Sequence, residues 1–146
     1  MTTETQKEKI VALAKSLIGK PYKYGAKEEE APDFFDCSSF TQYILKQIGI
    51  AIPRSTIEQA AEGRETNLEN LEVGDLIFAH GTHGHYNPRF PQGIGHVGVY
   101  VGNDAIIHAA SKRTNEKPII EQGGVMESTL EEFIKACTPI ITIKHY

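Results

Sequence analysis

A thiol, Cys37, and two imidazoles, His96 and His108, are the residues of this chain best suited to covalent catalysis. Cys37 follows Asp36, a residue type that caps helix N-termini, and precedes Phe40, Ile44 and Ile48 at helical spacing, with Gly49 as a stop. The thiol therefore falls in a first helical turn, where unpaired backbone N–H groups and the positive end of the dipole favour thiolate over thiol. A nucleophilic cysteine also needs a base within hydrogen-bond reach and a third group that holds the base in its productive tautomer. The two histidines are the candidates for that pair.

His96 opens one apolar run, 96–101, and His108 lies in a second, 105–109, with the turn-forming Gly102-Asn103-Asp104 between them. In such a hairpin the loop length decides which residues share a face. A two-residue loop puts His96 and His108 on opposite faces. A three-residue loop pairs His108 with Gly98 and leaves His96 diagonally across, with Cα atoms about 7–8 Å apart and no side chain at Gly98 to separate the rings. Alone, a cysteine in an apolar helix reads as core and a histidine in a strand as surface. A helix-terminal thiol together with two histidines on one hairpin face is a pattern that neither reading anticipates.

These residues need a scaffold, and the apolar periodicity supplies one. Ile10, Leu13, Ala14, Leu17 and Ile18 make one face of a helix over 5–18, stopped by Gly19 and Pro21, and a long loop follows to Asp33. The Cys37 helix runs to about Ile48, and a short helix spans 57–62 before a polar connection. Strands are expected at 76–79, 96–101, 105–109 and 140–144. His80 to Gly95 reads as a surface loop over the sheet edge, able to wall one side of a cleft. Ser128 and Glu131 form a capping box for a last helix. Helices first and paired strands afterwards indicate an α+β fold in a single domain, 1–146.

Composition is compatible with such an enzyme and excludes other classes. The 146 residues are 40% hydrophobic and 23% charged, ordinary for a globular domain. Fifteen basic against nineteen acidic residues, a formal charge of -4 and no basic cluster speak against a nucleic-acid partner. No stretch approaches the roughly 18 apolar residues of a membrane span, and no signal peptide is evident. The run Lys27 to Glu30 reads as solvated loop. Two cysteines far apart are no disulfide framework, and Cys137, after Leu130, Phe133 and Ile134, reads as a buried structural thiol.

Asp36-Cys37-Ser38-Ser39-Phe40, Gly74-Asp75-Leu76-Ile77-Phe78, His96-Val97-Gly98-Val99-Tyr100-Val101-Gly102 and Ile107-His108-Ala109 resemble, in order and spacing, the signature blocks of the NlpC/P60 family. Pro21-Tyr22-Lys23-Tyr24-Gly25 and Pro53-Arg54-Ser55-Thr56 are similar to two further blocks, so the resemblance runs from about residue 8 to 110. It implies a papain-like fold, with N-terminal helices packed on a central antiparallel sheet. It also implies a cysteine peptidase in which Cys37 attacks the scissile carbonyl, His96 is base and then acid, and His108 orients His96. The substrate would be a peptidoglycan stem peptide, cut between γ-D-glutamyl and a diamino acid, with Tyr24, Asp36, Ser38, Arg54 and Ser55 as candidate binding residues. Neither cofactor nor metal is implied, and a monomer acting on cell wall or its fragments, after secretion or release, is expected. Ser39 departs from the family's usual Gly, and Tyr24 stands where Trp is common.

Three rival readings differ in what they require. A metal site at His80, His83 and His85 lacks a nearby cysteine or carboxylate to complete it. An acyltransferase or amidase of the same fold is disfavoured by the order of the blocks, since here the cysteine block precedes the histidine block. A catalytically silent wall-binding module would be expected to have lost one of Cys37, His96 and His108.

Overall fold

Thr3 and Gln6 form a reciprocal capping box that starts helix α1, Glu4–Ser16, whose Ile10 and Ala14 are buried. Together with the rest of residues 3–81 and 84–146, they are described by a computed structural model, which gives backbone alone for Arg113, Thr114 and Glu121. Asp36 caps helix α2, Cys37–Lys46, and Ser55 caps the short helix α3, Thr56–Ala60. The strands are β1 (Arg64–Thr66), β2 (Leu76–Ala79), β3 (His96–Gly102), β4 (Ala105–Glu116), β5 (Ile119–Thr129) and β6 (Ile140–His145), with helix α4 (Leu130–Ala136) between the last two. They form one sheet in the order β1-β6-β2-β3-β4-β5, and each neighbouring pair is antiparallel. The α+β expectation, helices on a central antiparallel sheet, agrees with this arrangement.

Both faces of the sheet are covered, which explains why β2 is a continuous apolar run rather than an alternating one. Leu76 and Phe78 join Val97, Val99 and Ile107 in a core with α1 and α2. Ile77 points the other way, into a smaller cluster with Ile106, Ile143 and Phe133 of α4. Cys137 packs at the edge of this second cluster and is only partly buried; it and Cys37 are both free thiols.

The β3–β4 hairpin corrects the expected loop. Asn103 and Asp104 both have positive φ, 52° and 57°, which makes them a two-residue turn in which Gly102 already faces Ala105. That register alone would put the two histidines on opposite faces. Farther along, however, Val99 faces Ile107 and Tyr100 faces Ile106, because the pairing shifts between Tyr100 and Gly102. One extra residue on β3, a bulge at Val101, restores the parity that a three-residue loop would give.

Further corrections concern the polar segments. The strand expected at 105–109 continues to Glu116 and turns back as β5, and β1 lies within the expected polar connection. The capping box of α4 uses Thr129 and Glu132, one residue later than expected, which leaves Ser128 on β5. The 80–95 segment is more than a surface loop. Phe90 and Ile94 enter the main core, His85 bridges to Ile94, and Arg89 donates to the carbonyl of Ala61 at 3.1 Å.

Candidate active site

The N-terminus of α2 is built before any reaction chemistry is considered. The Asp36 carboxylate accepts from the Ser39 N–H at 2.8 Å, and the Asp36 N–H donates to Ser39 Oγ at 2.9 Å. Serine at 39, where family members usually have glycine, thus completes the cap. Arg54 comes in from the loop before α3 and donates to Asp36 Oδ2 and Ser38 Oγ, each at 2.7 Å, and to the carbonyl of Ala26. A planar guanidinium bridging three chain segments fixes the direction in which the helix starts.

Cys37 is the first residue of that helix and is 8% exposed. Its Sγ lies 4.0 Å from the carbonyl oxygen of Gly95, the residue before His96. Gly95 is itself closely packed, since a Cβ there would come within 2.7 Å of Gly81 Cα. Gly81 and Gly84 therefore pack directly against the backbone beside the sulfur.

Burial and the Asp36 carboxylate push the Cys37 thiol up to about 12, against smaller opposing effects of the Val97 and Ser38 amides and Arg54. This reverses the thiolate expectation drawn from the helix terminus. Removing water from a charged sulfur costs more here than the first-turn amides return.

His96 and His108 meet as the corrected register requires. His96 Nε2 and His108 Nδ1 are 2.8 Å apart, and the ring planes are inclined at 75° with centroids 5.0 Å apart. The other nitrogen of His108, Nε2, is 3.0 Å from Ser128 Oγ. His96, His108 and Ser128 thus cross β3, β4 and β5 on one face of the sheet. Phe133 of α4 stacks on His96 at 5.7 Å and sets its edge against His108 at 5.1 Å.

That covering depresses both imidazoles. Burial, reinforced by the charge His108 would carry, lowers His96 to about 3, and burial lowers His108 to about 4. At neutral pH both rings are uncharged, and one of them donates the shared hydrogen bond to the other. If His96 donates through Nε2–H, its Nδ1 is bare and able to take a proton.

The remaining candidates divide into two groups. Asp36, Ser38 and Arg54 form one hydrogen-bonded network beside Cys37. Ser55 is engaged in capping α3, its Oγ donating to Glu58 Oε1 at 2.7 Å, whereas Tyr24 is 53% exposed on the loop after α1. Ser128 and Phe133 escape sequence reasoning as site residues, because their relevance depends on the unforeseen β5 and on the packing of α4. Of the three loop histidines, His80 Nδ1 is 2.9 Å from the carbonyl of Gln92, and His83 lies outside the described residues. Among the described residues no group of three or more His, Cys, Asp or Glu side chains is placed to hold a metal.

A helix-terminal cysteine against the residue that leads into a strand-borne histidine pair is consistent with the sequence blocks. Residues 19–131 match the model of the NlpC/P60 family. The chain belongs to that family. Among NlpC/P60 relatives, a probable endopeptidase of Corynebacterium glutamicum is 36% identical over 72% of this chain and 44% of its own length. A gamma-DL-glutamyl hydrolase of Bacillus subtilis is 33% identical over 69% of this chain and 22% of its own. The chain thus spans less than half the length of the curated relatives it matches. Among solved structures, the NlpC/p60 domain of the peptidoglycan hydrolase SagA superposes with a TM-score of 0.68 at 26% identity, covering 96% of this chain and 98% of that one.

Proposed function

We propose that this protein is a cysteine endopeptidase that hydrolyses peptidoglycan stem peptides. The observation that carries the reading is the 2.8 Å pairing of His96 Nε2 with His108 Nδ1, on the strand that begins next to the carbonyl contacted by Cys37. As a neutral pair, with His108 buried and His96 half-buried, these groups suit a mechanism in which the proton moves as the nucleophile attacks. Cys37 attacks the scissile carbonyl while its proton passes to His96 Nδ1. His108 accepts from His96 Nε2–H and so holds the base in that tautomer. His96 then returns the proton to the leaving amine, and water hydrolyses the thioester. The Cys37 N–H, in the first turn where backbone N–H groups have no carbonyl four residues back within the helix, is suited to stabilise the tetrahedral oxyanion.

The name of the Bacillus relative supports a γ-glutamyl linkage as the target, and we assign cleavage to the γ-D-glutamyl–diamino acid bond. Tyr24, Asp36, Ser38, Arg54 and Ser55 are the proposed substrate contacts, with the 80–95 segment walling one side. The two core clusters share one sheet, which supports a single catalytic domain, and we take it to act as a monomer.

Digestion of purified peptidoglycan and of soluble stem peptides by wild type and Cys37→Ala, with mass spectrometry of the fragments, tests the proposal. New γ-D-glutamyl C-termini from wild type alone are expected, and Cys137→Ala should release the same products. Fragments from Cys37→Ala, or none from folded wild type on either substrate, would overturn it.

A further inference from the structure

We propose that Ser128 is a positioning residue that selects the base-competent tautomer of the histidine pair, an inference that rests on the cysteine-peptidase reading. Ser128 faces Ile106 in the β4–β5 ladder, which places it diagonally across from His108, itself opposite Met126. Its hydroxyl is 3.0 Å from His108 Nε2, while His108 Nδ1 is 2.8 Å from His96 Nε2. His108 is 5% exposed, so each ring nitrogen depends on its protein partner rather than on water.

Two proton arrangements satisfy these contacts, and they differ at the atom that matters. In one, His108 Nε2–H donates to Ser128 Oγ, His96 Nε2–H donates to His108 Nδ1, and His96 Nδ1 is bare. In the other, every proton is reversed: Ser128 donates to His108 Nε2, His108 Nδ1–H donates to His96 Nε2, and His96 Nδ1 carries a proton. Only the first can accept the proton of Cys37.

Removing the hydroxyl discriminates between them. With no acceptor at position 128, the first arrangement leaves a buried N–H unpaired, whereas the second leaves only a bare nitrogen lone pair. Orphaned buried N–H groups are the rarer and costlier of the two. Loss of Ser128 Oγ therefore drives His108 to the Nδ1–H form, and His96 follows into the unproductive tautomer. Threonine keeps an oxygen at the same position of the strand. The ring orientation depends on the same pair of contacts, since turning His108 over would present carbon at both ends.

The test combines 15N-histidine NMR with kinetics on wild type, Ser128→Ala and Ser128→Thr. Ring-nitrogen shifts, assigned through His96→Asn and His108→Asn, show which nitrogen of each ring carries hydrogen. At neutral pH without substrate, wild type and Ser128→Thr should have both histidines protonated at Nε2. Ser128→Ala should have both protonated at Nδ1, with kcat on a stem peptide lowered roughly 10- to 100-fold, as a buried N–H left unpaired implies, and KM little changed. Unchanged shifts in folded Ser128→Ala, or a kcat loss that Ser128→Thr shares, would overturn the proposal. If wild type has the expected tautomers but no Cys37-dependent hydrolysis, the cysteine-peptidase reading fails and the proposed role of Ser128 in catalysis falls with it.

Discussion

Acidification should destabilise this protein through its histidine pair, by an amount that the burial of the two rings fixes. In the unfolded chain both imidazoles titrate near 6.5, whereas in the fold they are held at about 3 and about 4. The folded state therefore binds fewer protons than the unfolded state between those limits, so stability is complete above about pH 6.5 and declines as pH falls towards 4. Going from pH 7 to pH 5, each unfolded imidazole takes up about three quarters of a proton that its folded counterpart refuses. This is worth about 1.9 kcal/mol per ring, or just under about 4 kcal/mol for the pair. Asp75 opposes the trend, because burial raises its carboxyl and so favours the folded state in acid. A variant removes that complication. In His108→Asn one titrating ring is gone and Asp75 is retained, so the loss from pH 7 to pH 5 should shrink by about 2 kcal/mol. Urea unfolding at both pH values and constant ionic strength measures it, followed by circular dichroism because the chain has no tryptophan. Equal losses in wild type and His108→Asn would mean that the pair titrates like free histidine, and the water-excluded site inferred from the packing of Phe133 would be wrong.

The thiol makes a related kinetic prediction. Since Cys37 is pushed up to about 12, its alkylation by iodoacetamide should accelerate about tenfold per pH unit from pH 6 to 9; a rate already maximal at pH 5 would reveal a stable thiolate–imidazolium pair instead. Gly98→Ala would place a methyl 2.6 Å from Ile106 Cγ2, 3.0 Å from Phe133 Cε2 and 3.3 Å from His108 Cβ. It should cost about 1–3 kcal/mol in urea unfolding and lower kcat by displacing His108, and unchanged stability would show that α4 yields more readily than its packing implies. Arg54→Lys keeps the charge but loses the fork that joins Asp36, Ser38 and Ala26. A destabilisation of about 1–2 kcal/mol with a several-fold fall in kcat/KM is expected, and a silent substitution would remove Arg54 from the support of the site.

What could be read from the sequence is what local rules determine. The Asp36 cap and the spacing of Phe40 and Ile44 depend only on neighbours along one helix, and the start of α2 follows from them. The run 76–79 needs no partner to be recognised as a strand once its four residues are apolar. β5 was a different case. From Ser111 to Glu116 the chain is polar and from Ile119 to Thr129 its apolar residues are interrupted by Gly123-Gly124, so neither periodicity nor burial marks the segment. Its pairing with β4 is a tertiary outcome. Ser128 could not be linked to His108 without that ladder, and a capping role one residue out of place absorbed it instead. Polar composition similarly hid β1, whose Arg64 and Glu65 are exposed and whose partner, β6, is at the other end of the chain.

The hairpin shows how a site can be foreseen through a local error. Counting Gly102 as loop produces the observed pairing of Val99 with Ile107, although Gly102 belongs to the ladder and the extra residue is Val101. The two descriptions agree because a bulge and a loop residue each add one to the same strand, and the face on which His108 appears depends only on that sum. Drawing Val101 into the ladder would therefore do more than lengthen a strand: it would give a regular two-residue hairpin in which Val99 faces His108, and carry the two histidines to opposite faces. The bulge at Val101 is what allows β3, β4 and β5 to offer His96, His108 and Ser128 in line beneath Phe133.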